Sequence, residues 1–265
     1  MKSIRGFRLL GSALARTACI WMMLASLPSI IVAQEFEAST PNPEISGNVT
    51  VTRESHCRIV YLGFVGALEP PNNKYSGVVQ IEQTLQGHDY SDVCAKSFSP
   101  YVWLDGRDWL LKHFPAHTGA LTPQELDHSP KVILVGHSMG GWAMLSVARE
   151  LRSRNIPVEL TIQVDSVGIT DFTIPGNVKS AAIFHANDIL MFMTTKHVHV
   201  QDPARTKILA DVKVNGAGHE SITRDPRIRA LVMATVESLR ADFAANSAPA
   251  VVQPLPEPAR GTEQK

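Results

Sequence analysis

The sequence predicts an α/β fold, a three-layer sandwich in which a mostly parallel sheet is covered by helices on both faces. Two observations predict it. Short apolar runs alternate with helix-spaced apolar residues along residues 56–244, and a glycine-flanked serine stands between the clearest strand and a well-formed helix. Alternating strands and helices favour a parallel sheet, because each connecting helix must pack back onto that sheet. No later connection is long and apolar enough for a large lid.

Each element of this fold has its own signal. Apolar runs or strict alternation predict strands at 58–64, 92–98, 131–135, 158–165, 181–184 and 208–214. Helical spacing predicts helices around 78–85, 105–114 and 144–151, and after Asp225, which is suited to cap a helix beginning at Pro226. The uninterrupted run at 132–135 is typical of a strand that is buried on both faces.

The two ends of the chain differ from this core. Residues 1–33 contain basic residues, no acidic residue and an apolar run that ends near Ala33, a pattern typical of a secretory signal. We therefore predict export to the periplasm or the extracellular space. An uncleaved N-terminal helix that anchors the protein is the alternative. Residues 34–55 are predicted to form a polar arm, and the Pro/Ala-rich residues 245–265 a disordered tail.

The charge of the chain argues against one class of function, nucleic-acid binding. The formal net charge is zero and no basic stripe is present, so nucleic acid is not an expected partner.

Cleavage after residue 33 would leave Cys57 and Cys94 as the remaining cysteines. An exported protein can hold such a pair as one disulfide, and two buried free thiols are the alternative. The oligomeric state is not indicated.

The serine lies in the stretch Gly-His-Ser-Met-Gly-Gly at 136–141, a G-x-S-x-G pattern between strand and helix. A serine hydroxyl attacks a substrate only if it projects from the sheet, and a sharp strand-to-helix turn achieves this. Gly136 and Gly140 must then lack side chains, because Cβ atoms there would collide. We predict Ser138 as a nucleophile and the backbone N–H of Met139, at the helix N-terminus, as one oxyanion donor.

With this motif, the chain from Arg58 to Phe243 resembles the α/β-hydrolase superfamily, especially its compact lipase, esterase and thioesterase-like members. The resemblance implies a triad in the order serine, acid, histidine. The histidine is expected in the loop after the last strand, and His219 in Asn-Gly-Ala-Gly-His-Glu fits that place. His197 and His199 have the spacing of a metal-binding pair on a strand, but no third ligand is evident.

The acid of the triad has two candidates. Asp165 ends the strand that follows the nucleophile helix, a place that some thioesterase- and lipase-like members use. Asp188 follows the next strand, where most members carry the acid, although the spacing before it is one residue short here. We prefer Asp165. The second oxyanion donor is expected from the backbone of Phe64 or Val65, after the first core strand.

These features predict an exported serine hydrolase that cleaves carboxylic esters through an acyl-enzyme on Ser138, with His219 as base and then acid. A thioesterase or amidase would use the same triad, because one fold supports several reactions. A non-catalytic binding module that keeps the fold is a further alternative. No metal or organic cofactor is implied, the expected partner is a small-molecule ester, and no stable membrane span is expected after signal cleavage.

Overall fold

Six parallel strands form the centre of the fold. The structure is a computed structural model that describes residues 57–115, 119–167, 171–187 and 199–247. Across the sheet the strand order is β2-β1-β3-β4-β5-β6, and every neighbouring pair is parallel. In chain order the strands β1 to β6 are Ile59–Phe64, Val93–Phe98, Lys131–His137, Val158–Val164, Val178–His185 and Lys207–Lys213. The predicted fold class is confirmed.

Helices cover both faces of this sheet. In the described residues the helices α1 to α5 are Gly77–Gly87, Trp103–Leu111, Pro123–Asp127, Met139–Ser153 and Pro226–Ser247. One apolar cluster joins α2 and α4 to the sheet, and a second joins α1 and α5 to its other face. Along β1, Val60 and Leu62 belong to the first cluster and Ile59 and Tyr61 to the second. Both faces are therefore buried, as the apolar runs predict.

The loops at the carboxyl ends of the strands lie along one edge of the sheet. Because all six strands run in the same direction, the segments that follow β1, β3, β4 and β6 converge there. The connections after β4 and β5 span residues 165–177 and 186–206. Segments of this length are too short to form a separate lid domain.

The predicted end segments fall outside the described residues. This holds for the signal segment at 1–33, for the polar arm at 34–55, and for all but the first three residues of the tail, because α5 ends at Ser247. Export and the disordered tail therefore stay predictions. Within the part of the chain that the structure describes, no helix combines the length and apolar character needed to cross a membrane.

Cys57 and Cys94 form a disulfide with a Cα–Cα distance of 5.6 Å. It joins the residues before β1 to the start of β2. The two cysteines are separated by 37 positions, and closing a loop of that size restricts the unfolded chain.

Opening this disulfide is expected to lower the free energy of unfolding by about 4 kcal/mol on the chain-entropy model. Urea unfolding of the oxidised and the reduced wild type measures the effect, and both samples share one sequence and one set of packed side chains. The double replacement Cys57→Ala and Cys94→Ala should match the reduced protein. Equal unfolding midpoints for the oxidised and reduced forms would contradict this expectation.

Candidate active site

Ser138 occupies the sharp turn between β3 and α4. Its φ of 55° and ψ of −125° are values that residues other than glycine rarely adopt. Such strain is expected where a serine must project from the end of a strand. The turn is fixed from two sides, because the Ser138 N–H donates to the Val164 carbonyl at 3.0 Å and the Ser138 carbonyl accepts from the Gly141 N–H at 3.0 Å.

Two glycines make room for this turn. A Cβ atom at Gly136 would lie 2.4 Å from the Gly140 carbonyl oxygen. A Cβ atom at Gly140 would lie 2.4 Å and 2.5 Å from the carbonyl oxygens of Phe64 and Val65. No side chain fits at such distances. The backbone that follows β1 therefore lies directly against the first turn of α4.

Three of the predicted residues meet in one hydrogen-bonded chain. The Nε2 atom of His219 lies 2.9 Å from Ser138 Oγ, and its Nδ1 atom lies 2.6 Å from Asp165 Oδ2. This is the arrangement in which an imidazole can take the proton of a serine while a carboxylate orients the ring. The alternative acid, Asp188, and the possible metal ligand His197 lie outside the described residues.

The carboxylate of Asp165 is held in place by the backbone of β5 and of the segment after it. Asp165 follows β4 directly and is almost fully buried, with 1% of its surface exposed. Its N–H donates to the Phe184 carbonyl at 2.7 Å, and its Oδ1 accepts from the Ala186 N–H at 2.9 Å. The carboxylate is thereby fixed with Oδ2 toward His219.

The loop that carries His219 is anchored on both sides. Before it, the Ala217 carbonyl accepts from the Asn187 N–H at 3.2 Å. After it, the short 3₁₀ turn Ser221–Arg224 meets the start of α1, where the Gly77 N–H donates to Thr223 Oγ1 at 3.1 Å. The loop of the base is therefore held by contacts with the segment after β5 and with the start of α1.

The predicted oxyanion donors lie on the two segments that Gly140 brings together. Met139 is the first residue of α4, and Phe64 and Val65 belong to the end of β1 and the residue after it. The Val65 N–H donates to the Phe98 carbonyl at 3.1 Å. Val65 could therefore bind an oxyanion only by giving up that hydrogen bond. Phe64 is itself paired with Phe98 of β2 and with Gly136 of β3, so neither candidate is preferred, whereas Met139 begins a helix, where the first N–H groups have no partner within the helix.

Glu69 and His137 form a polar pair next to His219 that the sequence analysis did not predict. His137 is the last residue of β3, directly before Ser138. Its Nδ1 atom lies 3.0 Å from Glu69 Oε2, and its Nε2 atom lies 2.9 Å from the carbonyl oxygen of His219. No local pattern marks these contacts, because Glu69 and His219 are 68 and 82 positions from His137.

The charge of Glu69 is stabilised within this pair. Burial raises the pKa of its carboxyl, but the hydrogen bonds from His137 and from the Gly66 N–H outweigh that effect and bring the pKa below its usual value. The Gly66 N–H donates to Glu69 Oε2 at 2.8 Å. An ionised Glu69 therefore accepts hydrogen bonds from the turn and from the loop after β1 at once.

No protein-family model matches the chain, and no curated protein matches its sequence. Several solved structures resemble it in overall architecture. The RedJ thioesterase from the prodiginine pathway of Streptomyces coelicolor is 12% identical over 88% of this chain and 98% of its own, with a TM-score of 0.38. Human thioesterase 2 is 11% identical over 69% of this chain and 96% of its own, with a TM-score of 0.36.

An α/β serine hydrolase without a lid from Xanthomonas campestris is 12% identical over 67% of this chain and 81% of its own, with a TM-score of 0.34. These are similarities of architecture. The class of the protein follows from its own topology: a parallel sheet, a strained serine turn after β3, an acid after β4 and a histidine after β6. The chain has an α/β-hydrolase-like fold.

Proposed function

We propose that the protein is a serine hydrolase that cleaves carboxylic esters through an acyl-enzyme on Ser138. The observation that carries this proposal is the hydrogen-bonded chain from Asp165 Oδ2 through both ring nitrogens of His219 to Ser138 Oγ. Serine is a weak nucleophile without a base, and this chain supplies both the base and the group that orients it. The strained backbone at Ser138 supports the same proposal, because strain of this kind is concentrated at functional sites and a serine with only a structural role does not require it.

In the acylation step, Ser138 Oγ forms a bond to the ester carbonyl carbon while its proton moves to His219 Nε2. The carbonyl oxygen becomes an oxyanion, for which the backbone N–H of Met139 and that of Phe64 or Val65 are the proposed donors. Collapse of this intermediate breaks the bond to the alcohol oxygen, which leaves with the proton from His219. Water then attacks the acyl carbon while His219 takes its proton. The bond between that carbon and Ser138 Oγ breaks, the carboxylic acid leaves, and His219 returns the proton to Ser138 Oγ.

The proposal includes export. It is supported by the acid-free, apolar segment at 1–33 and by the disulfide between Cys57 and Cys94, because disulfides persist in oxidising compartments. Thioesters and amides are attacked by the same groups in the same order. A substrate panel for the protein therefore includes all three acyl classes.

Incubation with a fluorophosphonate probe, which forms a covalent bond with activated serines, is expected to label the wild type once per chain. Ser138→Ala should abolish the labelling, since the reacting oxygen is gone. His219→Ala should slow it by about 10³-fold or more, because the serine then lacks its base. The measurement is the labelling rate, followed by hydrolysis of p-nitrophenyl esters, thioesters and amides.

A serine that lies far from the triad provides the control. Ser153 ends α4 and its hydroxyl donates to the Glu150 carbonyl at 2.7 Å, so Ser153→Ala should label like the wild type. If folded wild type takes up no probe, or if Ser138→Ala is labelled as fast as the wild type, the proposed function is wrong. A binding module that retains the fold would then be the better description.

A further inference from the structure

The carboxylate of Glu69 holds two separate parts of the site together. It lies in the loop after β1, and its Oε2 accepts from the Gly66 N–H at 2.8 Å and meets His137 Nδ1 at 3.0 Å. The far side of the same imidazole contacts the His219 carbonyl oxygen at 2.9 Å. One carboxylate and one ring therefore connect the loop that carries the oxyanion donors to the loop that carries the base.

The chemistry of the contacts fixes the direction of these hydrogen bonds. A backbone carbonyl only accepts, so His137 Nε2 must carry the proton that it donates to His219. At the other end, the Glu69 oxygen already accepts from the Gly66 N–H, and an ionised carboxylate accepts a second proton from Nδ1. Both ring nitrogens of His137 then donate, and the negative charge of Glu69 balances the ring inside the protein.

The side chains of this pair are almost completely buried. None of the His137 side chain is exposed, and only 9% of the Glu69 side chain is. The rings of His137 and His219 lie 4.8 Å apart between centroids. A shift of the His137 ring would therefore displace both the backbone and the side chain of His219, and triad geometry tolerates little displacement.

We propose that Glu69 and His137 are positioning residues that set the His219 loop and the loop after β1 relative to Ser138. The inference rests on the proposed function, and it assigns no contact with substrate to either residue. His219 keeps its distance to Ser138 because the His219 carbonyl accepts a hydrogen bond from His137 Nε2. The other ring nitrogen of His137 is held by Glu69 Oε2.

Glu69→Gln tests this pair with almost no change of shape. An amide oxygen in the place of Oε2 could accept from Gly66, but His137 would then either lose its Nε2 proton or remain a buried cation without a counter-charge. An amide nitrogen in that place would face the Gly66 N–H, donor against donor. With a neutral His137 ring, the variant therefore loses one of the three hydrogen bonds that the wild type makes together, at Gly66, at His137 Nδ1 or at the His219 carbonyl.

A matched control exists at the opposite edge of the sheet. Glu159 also has a side chain that is 9% exposed, and it pairs with Lys179 Nζ at 2.8 Å. Glu159→Gln is the same substitution at the same exposure, with no link to the triad. Glu69→Gln should lower kcat by about 10- to 100-fold with little change in KM, and Glu159→Gln should leave both constants unchanged.

The two residues should also act as one unit. In a double-mutant cycle of Glu69→Gln and His137→Gln, the double variant should lose no more activity than the worse single variant. Losses that multiply would overturn the proposal, because the residues would then act independently. A change confined to KM would overturn it as well, since displacement of the base affects the chemical step.

A readout that needs no turnover separates this inference from the proposed function. In protein with isotope-labelled histidine, the ring resonances of His219 should shift in Glu69→Gln and stay in place in Glu159→Gln. Unshifted His219 resonances in folded Glu69→Gln would overturn the positioning role even if the wild type is an active hydrolase. Shifted resonances in a protein that takes up no fluorophosphonate would support it while the proposed function fails.

The histidine-labelled protein also tests whether Glu69 and His137 contact each other directly or through a metal ion. Potential ligand atoms of Glu69, His137 and Glu220 lie within 4.8 Å of one another, so a divalent cation is the competing means of holding the loop. The proposal expects that EDTA changes neither the His219 resonances nor the labelling rate. Loss of either on treatment with EDTA, with recovery on adding zinc or calcium, would overturn the direct pair.

Discussion

Asp165→Asn is expected to lower kcat by about 10⁴-fold, the loss seen when the acid of a serine triad becomes an amide. The reason lies in which way the amide must face. The Ala186 N–H points at Oδ1 from 2.9 Å, so the amide oxygen is drawn to that position and the amide nitrogen is turned toward His219 Nδ1. His219 then holds its proton on Nε2, and that nitrogen can no longer accept the proton of Ser138.

The measurement is kcat for an activated ester together with the rate of fluorophosphonate labelling, at matched folded fractions. Asp211→Asn serves as the control, because Asp211 also bonds a histidine, with Oδ1 2.8 Å from His185 Nε2, but lies outside the triad. Asp188→Asn should have little effect. If Asp165→Asn retains activity within about tenfold while Asp188→Asn loses it, the acid is Asp188 and the preference for Asp165 is wrong.

The sharp turn at Ser138 was the most predictable part of the site, because its geometry arises from neighbouring residues. The distances that exclude a side chain at Gly136 and Gly140 arise within a few residues of Ser138 and from the strand beside it. A pattern of glycines around a serine, placed between strand and helix, therefore carries most of that geometry. The place of His219 in the chain was predictable for a related reason, since it needs only the end of the last strand and a glycine-containing loop after it.

The choice between the two acids could not be made in this way. It depends on which strand end lies opposite His219, and that is a property of the sheet order rather than of a local pattern. The contact between Glu69 and His137 was still less predictable from the sequence, because the residues that it joins lie far apart along the chain. A carboxylate in a proline-rich loop carries no mark of the imidazole that it will meet.

Two features of the fold also differ from what local patterns indicate. The alternation along β4 is typical of a strand with one exposed face, yet Thr161 and Gln163 are buried as well, because β4 lies inside a sheet covered on both faces. The short helix α3 was not predicted. Its capping box, in which Thr122 and Glu125 bond each other's backbone N–H groups, is a readable signal, but a helix of five residues has no apolar periodicity.

Gly140→Ala is expected to lower kcat by at least about 10³-fold and the free energy of unfolding by about 3 kcal/mol. A Cβ atom there would lie 2.4 Å from the Phe64 carbonyl oxygen and 2.5 Å from that of Val65. Both are backbone atoms, so the methyl group can be accommodated only if β1 and α4 move apart. That movement would separate the proposed donor on Met139 from the one on Phe64 or Val65, and the oxyanion would lose a hydrogen bond that depends on their spacing.

Activity per folded molecule is the quantity to measure, well below the thermal midpoint of the variant, so that lost stability does not count as lost catalysis. Gly87→Ala is the matched control, because a Cβ atom at Gly87 meets nothing within 4 Å. A Gly140→Ala variant with wild-type kcat would contradict the role of this close approach. It would mean that stabilisation of the oxyanion does not depend on the close contact between α4 and the backbone of Phe64 and Val65.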